Sequence, residues 1–421
     1  MSEPSARGLA LEALRRWRKP KKNADAIVAD LFAATPLSAP DRAFALGLFY
    51  GVLRNLTLLD FWIGCLRRSH LAVDLRDILR LGLYQLFLLE TPAHAAVNET
   101  VELAPKRGRE LINAVLRAAA RRGGELRQRA VEQPLSVRES HPPFLIARWE
   151  ENFGRKAAEE LCRWNNQPPP LYARINRLKI ESENFVRLYH DARVVVGAPE
   201  FVTFETMPAA AVERGDCYIQ DPSTALACRL LETRPGEKVL DACAAPGGKT
   251  AYIAELLQND GMLVACDRAP ERLSLLQHNL ERLGAPIVET FQIDWTRDAI
   301  PEQIAAIAPF DRVLVDAPCT NTGVMRRRVD VRWRLTPDDF MRMRSKQIDI
   351  VQAVLPLLKQ GGVLVYSTCS LEPEENEQLV QGLLEQMSIL QLEEEKRSLP
   401  FRDGFDGAFA ARLVKTAAPQ R

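Results

Sequence analysis

Only five histidines occur in 421 residues, and the eight cysteines fall singly at 65, 162, 217, 228, 243, 266, 319 and 369. There is no Cys-x-x-Cys pair, and no histidine shares a motif with a cysteine. This pattern argues against a zinc site or any other metal centre, and in a chain of this size against a disulfide framework. No run of about 18 uncharged apolar residues is present, so a membrane-spanning helix is not expected. Residues 1–22 carry arginines and lysines without a continuous apolar segment, so neither is a secretory signal. A reducing cytoplasm is the expected location. What is present, 47% hydrophobic and 26% charged residues, is the composition of an ordinary soluble protein of two or three domains.

The net charge of +1 hides an asymmetry: residues 1–140 carry a balance of +7 and the remainder −6. A basic N-terminal region suggests an anionic partner, nucleic acid above all, against the plainer reading of a solvated basic surface. Its apolar residues recur at helical spacing. Leu9, Leu11, Leu14 and Trp17 form one face, Phe44, Leu48, Val52 and Leu56 another within a helix expected over 41–59, and further faces cover 75–89, 93–103 and 110–120. Almost nothing favours strands, so an all-helical domain is expected over 1–130. The charged stretch 131–141 reads as a linker. Residues 142–215 follow as a small α+β domain, and 216–421 as an α/β domain. On the expected strand 171–176, Arg174 and Asn176 alternate with apolar positions; they face either a nucleic-acid phosphate or plain solvent.

The chain is organised around Lys238–Thr250. Val239–Asp241 reads as a strand end, Ala244-Ala245-Pro246-Gly247-Gly248 as a turn, and Lys249 as the start of a helix. A strand, a glycine turn and a helix N-terminus make a nucleotide-sized pocket. Further apolar runs end in Asp267, Asp294 and Asp316, so successive strands of a parallel sheet each deliver a carboxylate to one edge. Asp267, 26 residues after Asp241, is placed to accept hydrogen bonds from ribose hydroxyls. Gly-x-Gly-x-x-Gly is absent. The pattern resembles S-adenosylmethionine-dependent methyltransferases more than nicotinamide enzymes.

Two cysteines sit at the same edge, in Asp316-Ala317-Pro318-Cys319 and Thr368-Cys369-Ser370. The Asp/Asn-Pro-Pro-aromatic motif used for transfer to an exocyclic amine is missing. Carbon 5 of a pyrimidine is a poor nucleophile until a thiolate adds to carbon 6. That route needs a reactive cysteine, a proton donor for the ring nitrogen and a base for the carbon-5 proton. Cys369, Asp316 and Cys319 supply these, with Lys249 adding a positive charge that favours a thiolate or orients Asp316. The chemistry alone does not choose between the two cysteines as nucleophile. Beyond Cys319 lie Arg326, Arg327, Arg328, Arg332 and Arg334, read as a phosphate-binding loop rather than a solvated face.

These motifs closely resemble the RNA cytosine-C5 methyltransferases. The resemblance implies that Cys369 is the nucleophile and that Cys319 assists release of the covalent adduct. It places cofactor contacts at Cys243, Ala244, Ala245, Pro246, Gly247, Gly248, Lys249, Asp267, Asp294 and Asp316, the cofactor being S-adenosyl-L-methionine. Gly323–Arg327, Trp333 and Pro373–Glu377 also match, while the stretch around Phe405-Asp406 is slightly altered. Asp41-Arg42-Ala43, Gly51–Arg54, Leu81–Leu86 and Ile112–Arg117 look like the NusB-type RNA-binding domain. Together the two halves resemble the bacterial Fmu/Sun (RsmB) family. That likeness implies a multidomain α plus α/β protein: a NusB-like helical domain, a small α+β connecting domain and a Rossmann-like class I methyltransferase domain. It further implies one 16S ribosomal RNA cytosine, position 967 in the standard RNA numbering, as target, in unassembled or early-assembly RNA, and a monomeric enzyme. Another ribosomal or transfer RNA site is the alternative of the same chemistry; a non-catalytic ribosome-assembly factor is the alternative of another kind.

Overall fold

The computed structural model describes residues 5–19 and 22–417. They form two units, one reaching to Pro168 and joined by the short segment Met325–Arg334, the other holding the rest.

The first unit is helical from Ala6–Trp17 to Arg155–Asn166. Side-chain caps start its first helices: Ser5 Oγ accepts from Gly8 N at 3.0 Å, Asn23 Oδ1 from Ala26 N at 2.8 Å and Ser38 Oγ from Asp41 N at 3.2 Å. The apolar faces read from the sequence meet in one core, with Leu14, Leu48, Val52, Leu59, Ile78 and Ile112 buried. The helix expected over 41–59 is two, Ala39–Arg54 and Leu56–Leu66, bent by 77° where Asn55 turns its amide back onto the Gly51 carbonyl. Among the described residues no single helix is long and apolar enough to cross a membrane.

The stretch 131–141 is not an extended linker. A helix over Gly123–Val131 runs into it, and Leu135–Arg138 forms another. Leu126 and Ala130 are buried, and the Leu126 carbonyl accepts from Trp62 Nε1 at 3.0 Å. Within 131–141 itself only Ser140 and His141 are buried, Ser140 Oγ accepting from Leu58 N at 3.0 Å, so no apolar period marks the stretch. Helices Pro143–Phe153 and Arg155–Asn166 also belong to this unit.

The second unit contains a four-stranded antiparallel sheet of β1 (Leu171–Ile175), β2 (Arg193–Val195), β3 (Ala198–Phe204) and β4 (Cys217–Ile219), in the order β2-β3-β1-β4. A seven-stranded sheet follows: β5 (Lys238–Asp241), β6 (Met262–Asp267), β7 (Val288–Gln292), β8 (Phe310–Asp316), β9 (Leu358–Thr368), β10 (Leu390–Ser398) and β11 (Ala408–Lys415). Its order is β10-β11-β9-β8-β5-β6-β7, with β5 to β9 parallel and β11 antiparallel to both neighbours. Alternate residues serve opposite faces. Val239, Leu263, Leu314 and Val365 pack with Ile253 and Leu276 on one side; Leu240, Val264, Val313 and Leu364 pack with Ile350 and Val354 on the other. With both faces covered, β5, β6 and β8 read as largely apolar runs, while the outer strand β7 is only partly buried; the carboxyl ends of the parallel strands lie together on one side of the sheet.

Candidate active site

Asp241, Asp267 and Asp316 are the last residues of β5, β6 and β8. Asp294 lies two residues beyond β7, Cys319 three beyond β8 and Cys369 one beyond β9. The topology therefore brings the predicted acids and both cysteines to one edge.

The loop after β5 is pinned at several points. Ala242 N donates to Leu314 O at 2.9 Å and Ala244 N to Cys266 O at 2.8 Å, so the loop extends the pairing of its neighbours. Gly247, at φ +106°, makes the turn that an L side chain resists, and the helix Gly248–Leu256 starts behind it. Thr250 Oγ1 donates to Asp241 Oδ2 at 2.7 Å, tying the helix to the strand. Burial pushes Asp241 up to about 7, against the hydrogen bond from Thr250. Asn279 Nδ2 holds the Pro246 carbonyl at 2.8 Å, and Arg272 holds that of Ala245 while pairing with Asp267 at 3.2 Å. Neither Arg272 nor Asn279 was legible as a site residue, because both lie on a helix that reads as a sheet cover. Burial drives the Cys243 thiol well up, so this residue serves the loop as a small neutral group. The hydrogen bond from Thr296 holds Asp294 below the usual carboxylate range.

Lys249 Nζ donates to Asp316 Oδ2 at 2.7 Å, and Ser367 Oγ to Asp316 Oδ1 at 2.9 Å. Burial by itself lowers a lysine, yet the Asp316 carboxylate overrides it and holds Lys249 above its ordinary value. The Asp316 side chain remains 31% exposed, fixed in orientation but open on one side. The Cys319 and Cys369 sulfurs are 3.3 Å apart, and Cys369 also donates to Asn321 Oδ1 at 3.2 Å. The hydrogen bond with Cys369, then burial, drives the Cys319 thiol well above the usual range. Asn321 itself sits at φ +60° and donates to the Cys319 carbonyl at 2.8 Å, so it touches both cysteine residues.

Three expected RNA contacts are corrected. Arg174 is wholly buried, paired with Glu255 and stacked 4.4 Å over Tyr252, which ties β1 to the helix after β5. Asn176 is buried and donates to the carbonyls of Gly215 and Leu283, both at 2.8 Å. Arg326 is buried and stacks 3.9 Å over the Trp164 ring within the helical unit. Its neighbour Arg332 is buried too, bonded to Asn166 Oδ1 at 2.7 Å and Asn165 O at 3.0 Å, while Arg334 pairs with Asp330 at 3.1 Å. Arg327 is half-buried and Arg328 exposed. The basic run thus serves mainly to seat Met325–Arg334 among the helices; Trp333 Nε1 donating to Leu53 O at 2.8 Å completes it. No cluster of His, Cys, Asp or Glu able to hold a metal ion occurs among the described residues.

Residues 228–414 match the family described as 16S rRNA methyltransferase RsmB/F, residues 4–121 the NusB family, and residues 141–203 a ferredoxin-like domain of RsmF/B-like methyltransferases. The chain is 32% identical to a probable ribosomal RNA small subunit methyltransferase B of Bacillus subtilis, covering 92% of this chain and 89% of that one. It is 36% identical to ribosomal RNA small subunit methyltransferase B of Serratia proteamaculans, covering 90% and 92%. Among solved structures it is similar to PH0851, with a TM-score of 0.78 at 25% identity, over 99% of this chain and 100% of that chain.

Proposed function

The chain belongs to the 16S rRNA methyltransferase RsmB/F family, and from that premise we propose that it methylates carbon 5 of one cytosine in 16S ribosomal RNA through a covalent adduct on Cys369. The methyl donor is S-adenosyl-L-methionine, which supplies an electrophilic methyl group when bound. The residues fit it: a glycine turn entering a helix, followed by carboxylates along one sheet edge. The loop 243–249 and Asp267, Asp294 and Asp316 would hold it.

The observation that carries this reading is the pair of cysteines 3.3 Å apart beside the Lys249–Asp316 ion pair. The contact puts a second thiol beside the attacking one, and the choice of Cys369 as nucleophile follows the family resemblance of the Thr368-Cys369-Ser370 motif. Cys369 Sγ adds to carbon 6 as the ring electrons shift towards N3, which takes up the Cys369 thiol proton relayed through the Asp316 carboxylate that Lys249 holds in place. Carbon 5 would then take the methyl group, the donor's sulfonium sulfur being left as a neutral thioether. Cys319, its own proton passed to solvent, takes the carbon-5 proton as a thiolate; Cys369 leaves as the carbon 5–carbon 6 bond re-forms, and the N3 proton returns through Asp316 to the Cys369 sulfur. A cytosine must be unstacked to reach these groups, which favours a loop in free or early-assembly RNA as substrate. The helical unit, by its likeness to the NusB family, is the RNA-holding part in this reading.

The test is methyl transfer to protein-free 16S RNA with the product mapped by bisulfite sequencing. One protected cytosine is expected, at the position the family resemblance implies. Protection at another site overturns the assigned target but keeps the chemistry; no transfer to free RNA, to assembled subunits or to transfer RNA overturns the enzymatic reading.

A further inference from the structure

One buried carboxylate touches the loops of both cysteines. Glu375 is fully buried. Its Oε2 accepts from Thr320 N and from Gln347 Nε2, both at 2.9 Å; its Oε1 accepts from Ser370 Oγ at 2.6 Å and from Thr320 Oγ1. Gln347 Nε2 donates also to the Pro318 carbonyl at 3.0 Å. The next residue, Asn376, accepts from Thr368 Oγ1 at 2.6 Å and donates to Ser370 O at 2.9 Å. Cys319 is therefore bracketed by Pro318 and Thr320, and Cys369 by Thr368 and Ser370. Each of these four neighbours is tied to Glu375, directly or through Gln347, or to Asn376. The two thiols project from between fixed points.

We infer that Glu375 is a positioning residue for methyl transfer, a clamp that sets the distance between the Cys319 and Cys369 sulfurs. This rests on the reading that the two cysteines form and release a covalent adduct. The backbone N–H of Thr320 and the Gln347 amide N–H can only donate, so Oε2 accepts from both and fixes the Pro318–Thr320 segment from one side. Burial raises its proton affinity, and the donors from Ser370, Thr320 and Gln347 oppose that. Direct bonds join the two loops as well, Cys369 Sγ to Asn321 Oδ1 at 3.2 Å and Gly323 N to Cys369 O at 3.0 Å, but among the described residues only Glu375 holds the residues next to both sulfurs on one buried group. Misplacement by about 1 Å at a reacting centre costs on the order of 10²-fold in rate.

Glu375→Gln keeps the shape and replaces one acceptor oxygen by an NH2 donor; Glu375→Ala removes the whole tie. Single-turnover methyl transfer, Kd for S-adenosylmethionine, KM for RNA, melting temperature and the Cys369–RNA adduct in denaturing gels are measured on the full chain. The expected result is a rate about 10-fold lower for E375Q and about 100-fold lower for E375A, with Kd and KM within about 3-fold of wild type. Wild-type rates in both variants overturn the inference. So does a rate loss matched by lost cofactor affinity and a collapsed melting temperature, which marks a purely structural role. If E375A does not fold, E375Q and Gln347→Ala decide, the latter expected to slow transfer several-fold through Pro318. A wild-type protein that transfers methyl groups without any adduct sinks the covalent reading, and the variants' rates still decide whether Glu375 positions the site.

Discussion

Cys319 and Cys369 stand fifty residues apart in the chain, yet their sulfurs are 3.3 Å from each other. They reach one another because β8 and β9 are adjacent parallel strands and each cysteine follows its strand end by one to three residues. The proposed division of labour, one sulfur attacking and its neighbour assisting release, builds on this contact.

Cys369→Ala is expected to abolish transfer while leaving cofactor affinity within a few-fold, as measured by titration calorimetry and a radiolabelled methyl assay. Substantial remaining activity would sink the nucleophile assignment. Cys319→Ala is expected to accumulate protein bound covalently to RNA, seen as a shifted band in denaturing gels; an unshifted band counts against its role in release.

Lys249→Met removes the ammonium that holds Asp316. A proton-transfer role of this kind is expected to be worth on the order of 10²-fold or more in rate. Asp316→Asn should lose a comparable factor, and the double variant should lose little beyond either single one, since the pair acts as a unit. Fully additive losses in single-turnover assays would separate the two roles.

Arg174→Ala should cost stability, not RNA affinity as such. It strands the buried Glu255, a loss of about 3–5 kcal/mol for breaking one side of a buried pair, and Glu255→Gln in the same chain should recover part of it. Arg326→Ala should likewise cost about 2 kcal/mol from the stack on Trp164. Urea titrations test both. Unchanged stability with weakened RNA binding would restore these arginines as RNA contacts.

Asp241 supplies a pH signature. Its folded value of about 7 lies above its ordinary 3.8, so between those values the folded state holds a proton that the unfolded state has lost. Stability contributed by this group is complete below pH 4 and is lost as pH rises towards 7, by on the order of a few kcal/mol. Asp241→Asn should remove that slope. Parallel pH profiles for the two proteins in chemical denaturation would refute it.

The gathering of these residues on one sheet edge was legible in the sequence by itself. Apolar runs ending in Asp241, Asp267, Asp294 and Asp316, the glycine turn, and the two cysteine motifs are local patterns, and a parallel sheet necessarily gathers its strand ends on one side. The helical character of the N-terminal unit was equally legible from its 3.6-residue period. Only the tertiary structure decided the fate of the polar residues elsewhere. Arg174 read as a surface position, but its partner Glu255 lies 81 residues away; Arg326 read as a phosphate ligand, but Trp164 covers it. Glu375 gave no sign of joining the two cysteine loops, because its donors at 320, 347 and 370 become neighbours only when β8, β9 and the helix Asp338–Val354 pack together. A charged side chain carries the same letter whether water or a buried partner satisfies it. Which of the two it meets is settled by contacts between distant parts of the chain, to which periodicity and spacing are blind.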